Sequence, residues 1–462
     1  MGCGSFHRAH QVLATQAAIE TQGKDGLRWG IASVSMRRRE LPDTLNRQNG
    51  LYTVLERSAH GTAALIAGAL REAVYAPEDG RGVYRRIADP ETSLVTLTIT
   101  ATGYHLDPAS GQLDLQNPAI LHDLKRPQLP TTAVGLLVQG LEEKRKDGGT
   151  PPVILCCDNL TNNGDTLRQT VLDFASVLDH SLSEWIARNV RFPNSMVDRI
   201  VPMTKPEDIA EACRLLGGFE DRAPVPTEPS TQWVIEEFEG DRPAWEAGGA
   251  EFVTDVRPFE ASKLRMLNGV HMFLAYVGAL DGKRTISEAA EDPIIGSLAE
   301  AFMLREQGAG VPLSASFKER YAASLMARFR NPGIVHMLSR IARNGSTKMS
   351  ARILEPMREN LLAGRDVHGA ILLIASWIRW FALHDQEIDG IHIVDPRAEM
   401  LHRLYRIHRG SYEAQAEAFL GEAEIFGPPL PDHQRIVREV AQMLHRLSHE
   451  PVGQVLQEAL QH

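Results

Sequence analysis

The first half of the chain alternates short, β-branched apolar runs with helical stretches, and this pattern limits the fold more than any other sequence feature. The runs typical of buried strands are residues 29–36, 51–55, 94–100 and 153–157. Apolar periodicity favours helices over residues 5–21, 62–75 and 131–146. Strands that alternate with helices predict βαβ units and a mostly parallel sheet covered on both faces.

The pattern changes after about Asp255, where helical periodicity dominates and no β-branched run appears. The predicted helices there are residues 260–280, 297–307, 317–328, 369–383 and 435–447. We therefore predict two domains: an α/β domain over residues 1–255 and a mainly α-helical domain over residues 256–462.

Composition excludes several classes of protein. The 462 residues are 43% hydrophobic and 23% charged, with a net charge of -10, so nucleic acid and anionic membranes are not expected partners. Four scattered cysteines make neither a disulfide framework nor a zinc-binding spacing, which indicates a reducing, cytoplasmic environment. No apolar run reaches the ~18 residues of a membrane span. The oligomeric state is not set by the sequence, and a monomer is compatible with it.

Two glycines near the start, Gly2 and Gly4, precede a helix and then the strand at residues 29–36. A tight glycine turn of this kind lets backbone N–H groups approach a pyrophosphate at a helix N-terminus. The usual third glycine is absent, since His7 stands there, so a glycine-containing loop without a ligand is the alternative. His7 and His10 have no third residue at metal-ligand spacing, so we expect no metal.

Four sequence blocks resemble the polyol-specific long-chain dehydrogenases, the family of mannitol dehydrogenase and fructuronate reductase. These blocks are GCGSFHRAHQ (2–11), CCDNLTNNG (156–164), FPNSMVDRIVP (192–202) and KLRMLNGVH (263–271). With RFRNP at 328–332, the resemblance extends over essentially the whole chain. It implies a Rossmann-type N-terminal domain that binds NAD and a helical substrate domain. In a Rossmann sheet a strand of ~5–6 residues precedes the glycine turn. Only Met1 precedes Gly2, so we expect an upstream natural start or an impaired cofactor site.

The resemblance implies a cofactor site formed by Gly2, Gly4, Phe6, Arg8 and Arg37. NAD enzymes normally carry an acid at the end of the second strand, whereas an arginine there accepts the 2′-phosphate of NADP. Here the strand is followed by three arginines, residues 37–39. NADP is therefore an alternative to NAD, and a solvated basic loop is the third interpretation.

The segment 258–271 places several polar residues on one helical face. Around the axis of an α-helix, at about 100° per residue from Lys263, Glu260 lies at about 60° and His271 at about 80°. Asn268 falls near about 140° on the same scale. Two leucines share this arc, so we expect buried polar groups that need partners, as in a substrate cavity. The alternative is an amphipathic helix whose polar groups bond to neighbouring carbonyls.

The resemblance also implies roles for these residues. Lys263 would be the general base, with a pKa lowered by desolvation. Asn159 and Asn268 would donate to the alkoxide-like oxygen without a metal.

Further roles follow from the same resemblance. His271 would orient the substrate, Glu260 would relay the proton, and Asp198 would anchor the site. Arg340 and Lys348 would contact sugar hydroxyls or a carboxylate.

Two substrate classes stay open at this point. Arg340 in the setting SRIA resembles the polyol dehydrogenases, and this favours mannitol or a similar polyol. His336 and the spacing from Gly345 to Arg352 resemble the fructuronate reductases instead. A relative that binds sugar or cofactor without turnover is the alternative of another class.

Overall fold

The computed structural model describes residues 1–388 and 391–461. The chain forms two compact units, Met1–Arg257 and Pro258–His462. The division falls two residues beyond the boundary predicted after residue 255.

The described part of the first unit contains ten strands in short parallel and antiparallel pairs. They are β1 Ile31–Ser35, β2 Tyr52–Ser58, β3 Gly61–Ala67, β4 Leu70–Tyr75, β5 Leu94–Leu97, β6 Val153–Cys156, β7 Ser195–Asp198, β8 Val225–Thr227, β9 Gln232–Glu236 and β10 Ala250–Val253. The pairs β1–β4, β5–β6, β2–β8 and β9–β10 are parallel, whereas β2–β3 and β7–β9 are antiparallel.

Helices pack against these strands with their apolar faces buried, as amphipathic helices do. They are Ser5–Ala9, Gln11–Gln22, Glu40–Arg47, Ala76–Ala88, Pro118–Lys125, Ala133–Lys146, Asn163–Leu178, His180–Asn189 and Pro206–Leu215. Short 3-10 turns lie at Asp25–Arg28, Ala101–Tyr104 and Trp245–Gly248. Helix Ala133–Lys146 begins where the Thr132 side chain accepts from the Gly135 N–H, a standard N-cap. It buries Leu136, Leu137 and Val138 completely.

The helix predicted over residues 62–75 is wrong. Residues Gly61–Ala67 pair antiparallel with β2 and form β3, and Leu70–Tyr75 pair parallel with β1 and form β4. The segment is rich in alanine and leucine, which favour helix, but pairing with two neighbouring strands overrides that local preference.

Met1 lies between two strands that do not pair with each other directly. Its amino group donates to the Thr96 carbonyl at 2.5 Å, and its carbonyl accepts from the Thr98 N–H at 2.9 Å. On the other side the Gly2 and Cys3 N–H groups donate to the Val34 carbonyl, at 2.7 and 3.0 Å. The segment Met1–Cys3 therefore links β1 to β5.

The second unit is helical, and its described part contains no strand. Its α-helices are Arg257–Ser262, Val270–Leu280, Ile286–Glu291, Pro293–Phe302, Ala315–Phe329, Leu338–Ile341, Gly345–Met349, Glu355–Leu362, His368–Asp385, Ala398–Ile407, Tyr412–Leu420, Ala423–Phe426, His433–His449 and Val452–Ala459. Among the described residues, π-helical segments occur at Lys263–Gly269, Met303–Gln307 and Ser350–Leu354. Helix His368–Asp385 is buried at the centre of one apolar core. Of the described helices, none is long and apolar enough to cross a membrane.

Candidate active site

The glycine turn is built on a close backbone approach. Gly2 has φ +96°, and a Cβ at that position would lie 2.1 Å from the Thr98 carbonyl oxygen, so only glycine fits. Gly4 precedes helix Ser5–Ala9, and the nearest atom to its hypothetical Cβ is 4.0 Å away. The turn therefore packs closely against the Thr98 backbone at Gly2. At Gly4 no protein atom lies close to the Cβ position, so a phosphate could approach the backbone there.

The other predicted cofactor residues have different surroundings. Phe6 stacks on the His10 ring at 4.9 Å. Arg8 is buried and donates to the Ala223 carbonyl at 2.5 Å, and burial lowers its pKa. Arg37 is exposed beyond the end of β1 and donates to Thr102 Oγ1 at 3.2 Å. Arg8 is thus fixed inside the unit, while Arg37 stays accessible at the carboxyl end of the strand.

Asp158 organises the loop after β5, a role that was not predicted. Its carboxylate accepts from the N–H groups of Ile99 and Thr100, at 2.8 and 3.0 Å, and from the Tyr104 hydroxyl at 2.7 Å. Thr100 has φ +66°, an uncommon conformation for a β-branched residue. The next residue, Asn159, is exposed after β6. Asp158 therefore fixes the backbone from which Asn159 projects.

Two of the recognised sequence blocks bind each other. The Asn163 side chain donates to the carbonyls of Cys156 and Ser195, at 3.2 and 2.8 Å, and accepts from the Ser195 N–H at 2.9 Å. Asn194 Oδ1 accepts from the Gly164 N–H at 2.8 Å. Much of this motif is therefore structural. Asp198, the predicted anchor, is the last residue of β7 and is half-buried.

Lys263 and Asn268 lie in the π-helix Lys263–Gly269, so the α-helix predicted over residues 260–280 is regular only over Val270–Leu280 and wrong in its first half. The angles of about 60°, 80° and 140° assumed α-helical geometry throughout. In a π-helix residue i bonds to residue i+5, so Lys263 and Asn268, five residues apart, follow each other along one face. Both side chains are half-buried. Glu260, also half-buried, lies in the preceding helix Arg257–Ser262.

The π-helix is held in place by contacts on its other sides. Arg265 makes a two-point ion pair with Glu359, at 2.6 and 2.7 Å. A Cβ on Gly269 would lie 3.0 Å from Gln307 Oε1 and 3.1 Å from the Arg352 carbonyl, atoms of the two other π-helical segments described. Lys263–Gly269 thus packs against both of the other described π-helical segments. Because π-helical turns occur frequently at functional sites, this segment is a better candidate for a functional one than an ordinary core helix.

His271 is buried two residues after the π-helix. Its ring lies 4.6 Å from the Phe329 ring and 5.8 Å from the His336 ring, and its Nε2 has no hydrogen-bond partner among the described residues. Burial lowers the pKa of His271 well below 6.5, and the positive or ionisable neighbours His336, Arg328, Arg352 and Lys348 lower it further. The imidazole is therefore neutral at pH 7.

These basic neighbours form what we call the cationic cluster: Arg328, His336, Lys348 and Arg352. Lys348 donates to the carbonyls of Ile341 and Arg343, and burial lowers its pKa to about 8. Asp395, the acid near Lys348, already accepts from the Ser346 N–H and hydroxyl.

Of the two predicted substrate residues, Lys348 belongs to the cationic cluster, whereas Arg340 is exposed at its edge: burial, Arg328 and Arg340 together lower the pKa of His336. Arg328 and Arg352 were not predicted as site residues. They come from separate helices, so no local motif groups them. Among the described residues, no group of three His, Cys, Asp or Glu side chains could hold a metal ion.

Comparison with known proteins agrees with this architecture. Residues 1–247 match the model of the mannitol dehydrogenase Rossmann domain, and residues 255–448 match that of the mannitol dehydrogenase C-terminal domain. The chain is 39% identical to the D-mannonate oxidoreductase of Escherichia coli (strain K12), over 97% of this chain and 92% of that protein. It is 33% identical to the mannitol 2-dehydrogenase of Pyricularia oryzae, over 98% and 90%.

A solved structure, the ternary complex of Pseudomonas fluorescens mannitol 2-dehydrogenase with NAD and D-mannitol, is also similar. It is 32% identical, with a TM-score of 0.77, over 100% of this chain and 93% of that chain. Fold and comparisons define an oxidoreductase that acts on secondary alcohols, with a Rossmann-type domain and a helical domain. The chain belongs to the mannitol dehydrogenase family, and the predicted family and fold class are confirmed.

Proposed function

We propose that this protein is an NAD(P)-dependent, metal-independent dehydrogenase that interconverts D-mannonate and fructuronate. The observation that carries the substrate class is the cationic cluster around His271. Four basic side chains converge on one buried imidazole, and a neutral polyol offers them no charge to bind. The 39% identity to a D-mannonate oxidoreductase supports the same substrate.

The glycine turn fits a dinucleotide. A Cβ at Gly4 would enter open space rather than protein, which leaves the backbone accessible to a pyrophosphate. Bound NAD would supply the hydride acceptor in the oxidative direction, as the cofactor named in the related mannitol 2-dehydrogenase complex suggests. The exposed Arg37, with no acid beside it at the end of β1, makes NADP the second cofactor to test.

Lys263 is the proposed general base that takes the hydroxyl proton from the reacting carbon. Asn268, on the same face of the π-helix, is the proposed donor to the developing alkoxide. Both roles follow from the family resemblance, as does that of Asn159, which stays a separate prediction. Glu260, one helix earlier, is the proposed proton relay.

In the proposed site, His271 stays neutral and donates to or accepts from a substrate hydroxyl. Lys348 and Arg352 bind the substrate carboxylate. Arg352 has no carboxylate partner among the described residues, and burial lowers the pKa of its guanidinium group. A carboxylate would provide the missing charge, because buried cations need a partner.

A polyol such as mannitol is the second candidate, and the sequence alone slightly favours it. Arg340 in the SRIA setting and the 32% identical mannitol 2-dehydrogenase structure support it. In that case Arg340 would contact hydroxyl groups and the cationic cluster would be structural.

The test is a panel of fructuronate and fructose, each with NADH and NADPH, and the reverse reactions with D-mannonate and mannitol. We expect kcat/KM for fructuronate to exceed that for fructose by at least about tenfold, the worth of one charge-assisted contact. A preference for fructose would establish the polyol alternative. Binding of cofactor or sugar acid without turnover of any compound would indicate a non-catalytic relative.

A further inference from the structure

Two histidines lie on consecutive turns at the C-terminal end of helix His433–His449, in the second unit. His445 and His449 are four residues apart, so both side chains project from the same face of the helix. Both are exposed, and their rings are nearly parallel, with centroids 4.5 Å apart and 24° between the planes. Two imidazoles at this spacing on one helical face are the pair that helical zinc motifs use to hold a metal ion.

A tyrosine from a neighbouring helix keeps the two imidazoles together. Tyr412 is the first residue of helix Tyr412–Leu420 and is half-buried. Its ring stands nearly perpendicular to both imidazoles, at 5.4 Å from that of His445 and 5.6 Å from that of His449. Edge-to-face contacts of this kind are favourable between aromatic rings. The two imidazoles are therefore placed next to each other before any ligand binds.

The hydrogen bond of His449 sets the tautomer of its ring. Its Nδ1 lies 3.0 Å from the carbonyl oxygen of His445. A carbonyl can only accept, so Nδ1 carries the hydrogen and Nε2 carries the lone pair when the ring is neutral. Histidines that bind metals usually donate their other ring N–H to a carbonyl or a carboxylate in the same way. His449 thus has the backbone contact that is typical of a metal ligand.

The position of the pair along the helix also favours a cation. His449 is the last of the 17 residues of its helix, and the carbonyl groups at a helix C-terminus create a partial negative charge there. Arg446, between the two histidines in sequence, pairs with both Glu450 and Glu458, so two carboxylates offset its charge. The helix end therefore stabilises a positive ion bound to the two imidazoles.

The separation of the two rings indicates which ions fit. An ion about 2.1 Å from one nitrogen of each ring lies about 3.2 Å from each ring centroid. Centroids 4.5 Å apart subtend about 90° at such an ion. This angle is typical of square-planar and octahedral coordination by Cu²⁺ and Ni²⁺, whereas tetrahedral Zn²⁺ prefers a wider one. Because imidazoles turn easily about the Cβ–Cγ bond, one nitrogen of each exposed ring can be directed at the same ion.

We propose that His445 and His449 form a surface binding site for one divalent transition-metal ion of the Cu²⁺ and Ni²⁺ class. The two imidazole nitrogens occupy neighbouring coordination positions, and water fills the others. With two protein ligands the site binds less tightly than a structural site with four, so it takes up ions from solution. This inference is independent of the proposed substrate, and the proposed reaction stays metal-independent.

Titration calorimetry of the untagged full chain with NiCl₂ tests the proposal. We expect one saturable Ni²⁺ site per chain. His445→Gln should weaken Ni²⁺ binding by at least about tenfold, because the loss of a partner that only orients a metal ligand already costs that much. Both substitutions used at the pair lie on the exposed face of the helix, and circular dichroism checks that the helices are retained.

Two further variants are matched controls. The double variant Gln442→His/His445→Gln keeps the number of histidines in the helix but places the pair seven residues apart, about 10.5 Å along the axis. Two rings that far apart cannot share one ion, so this variant should bind Ni²⁺ as weakly as His445→Gln. His180→Ala removes an exposed histidine of helix His180–Asn189 and should leave the Ni²⁺ affinity unchanged.

Electron paramagnetic resonance with one equivalent of Cu²⁺ identifies the ligands. The spectrum should show coupling to two imidazole nitrogens in the native protein and to one in His445→Gln. Absence of saturable Ni²⁺ binding by the native protein would overturn the proposal. Equal Ni²⁺ affinity in the native protein and the double variant would also overturn it, and the two imidazoles would then be only packing partners of Tyr412.

Discussion

Each of the two units buries a histidine whose Nε2 has no hydrogen-bond partner in the described part of the chain, and the two surroundings differ in charge. His7 lines a cavity between β1 and β5, and desolvation lowers its pKa to about 3. The amino group of Met1 and Arg8 contribute to this shift. His271 is kept neutral by burial and by the four members of the cationic cluster.

The difference separates a structural space from a chemical one. Around His7 the buried side-chain atoms without a partner in the described chain are neutral, Gln11 Oε1 and Trp29 Nε1, and the Met1 amino group and Arg8 add to the effect of burial on the pKa of His7. Around His271 four basic side chains lie close together, and a carboxylate is the ligand that we propose for them. Equal burial therefore goes with different surroundings, and this contrast can be tested by changing one unit and measuring what the other does.

The largest expected effect is that of Lys263→Ala. Loss of a general base lowers kcat by about 10²- to 10⁴-fold. Cofactor affinity, which we assign to the glycine turn, should stay within about twofold. Steady-state kinetics and NADH titration measure the two quantities.

Arg265→Ala is the matched control, because this residue lies in the same π-helix and pairs with Glu359. It should lower the Tm, and its effect on kcat should be much smaller than that of Lys263→Ala. A Lys263→Ala protein that retains turnover would refute the proposed base.

The next effect concerns the cationic cluster. Arg352→Gln removes one charge proposed to bind the carboxylate, so kcat/KM for fructuronate should fall by about 10- to 100-fold. The same change should alter kcat/KM for fructose by less than about threefold. Arg438→Gln, which replaces an exposed arginine of helix His433–His449, is the control. A larger loss for fructose than for fructuronate would favour the polyol function instead.

A smaller effect separates the two glycines of the turn. Gly2→Ala forces a side chain into the Thr98 backbone at φ +96°, and the left-handed strain alone costs about 1–2 kcal/mol. The Tm should fall by several degrees, as measured by calorimetry. Gly4→Ala should leave the Tm unchanged, because its Cβ meets no atom closer than 4.0 Å, and should weaken NADH binding. Unchanged NADH affinity in Gly4→Ala would place the pyrophosphate elsewhere.

The sequence predicted the strands and helices that follow from local residue patterns. The prediction failed where pairing with a neighbouring strand determines the secondary structure. The runs at residues 94–100 and 153–157 contain β5 and β6, because they hold β-branched and other apolar residues that are enriched in half-buried and buried strands. Residues 62–75 form two strands only because β1 and β2 lie beside them. The periodicity of that segment contains no information about those neighbours.

The candidate site shows the same limit. Lys263, Asn268 and His271 were predicted because they share one short segment. The π-helical turn between them was not predicted, because one extra residue in a helical turn leaves the apolar pattern almost unchanged. Arg328 and Arg352 approach His271 from two other helices, and only tertiary packing reveals the charge they create together.

The smallest expected effect is a pH-dependent one that compares the two histidines directly. Each has a folded pKa below the ordinary value of 6.5, so the unfolded chain takes up the proton first and stability falls as pH drops below about 6.5. For His7 this loss continues to about pH 3. A bound carboxylate should raise the folded pKa of His271 and leave that of His7 unchanged.

The rise in Tm caused by D-mannonate should therefore grow as the pH falls from 7 to 5.5, whereas any rise caused by mannitol should not. His271→Gln should weaken this pH dependence and leave only the contribution of His336, while His7→Gln should preserve it, because His7 does not belong to the cationic cluster. Thermal unfolding across that pH range measures all four cases. An unchanged pH dependence in the His271→Gln protein would mean that His271 does not respond to the bound carboxylate, and the proposed carboxylate site beside this residue would then be wrong.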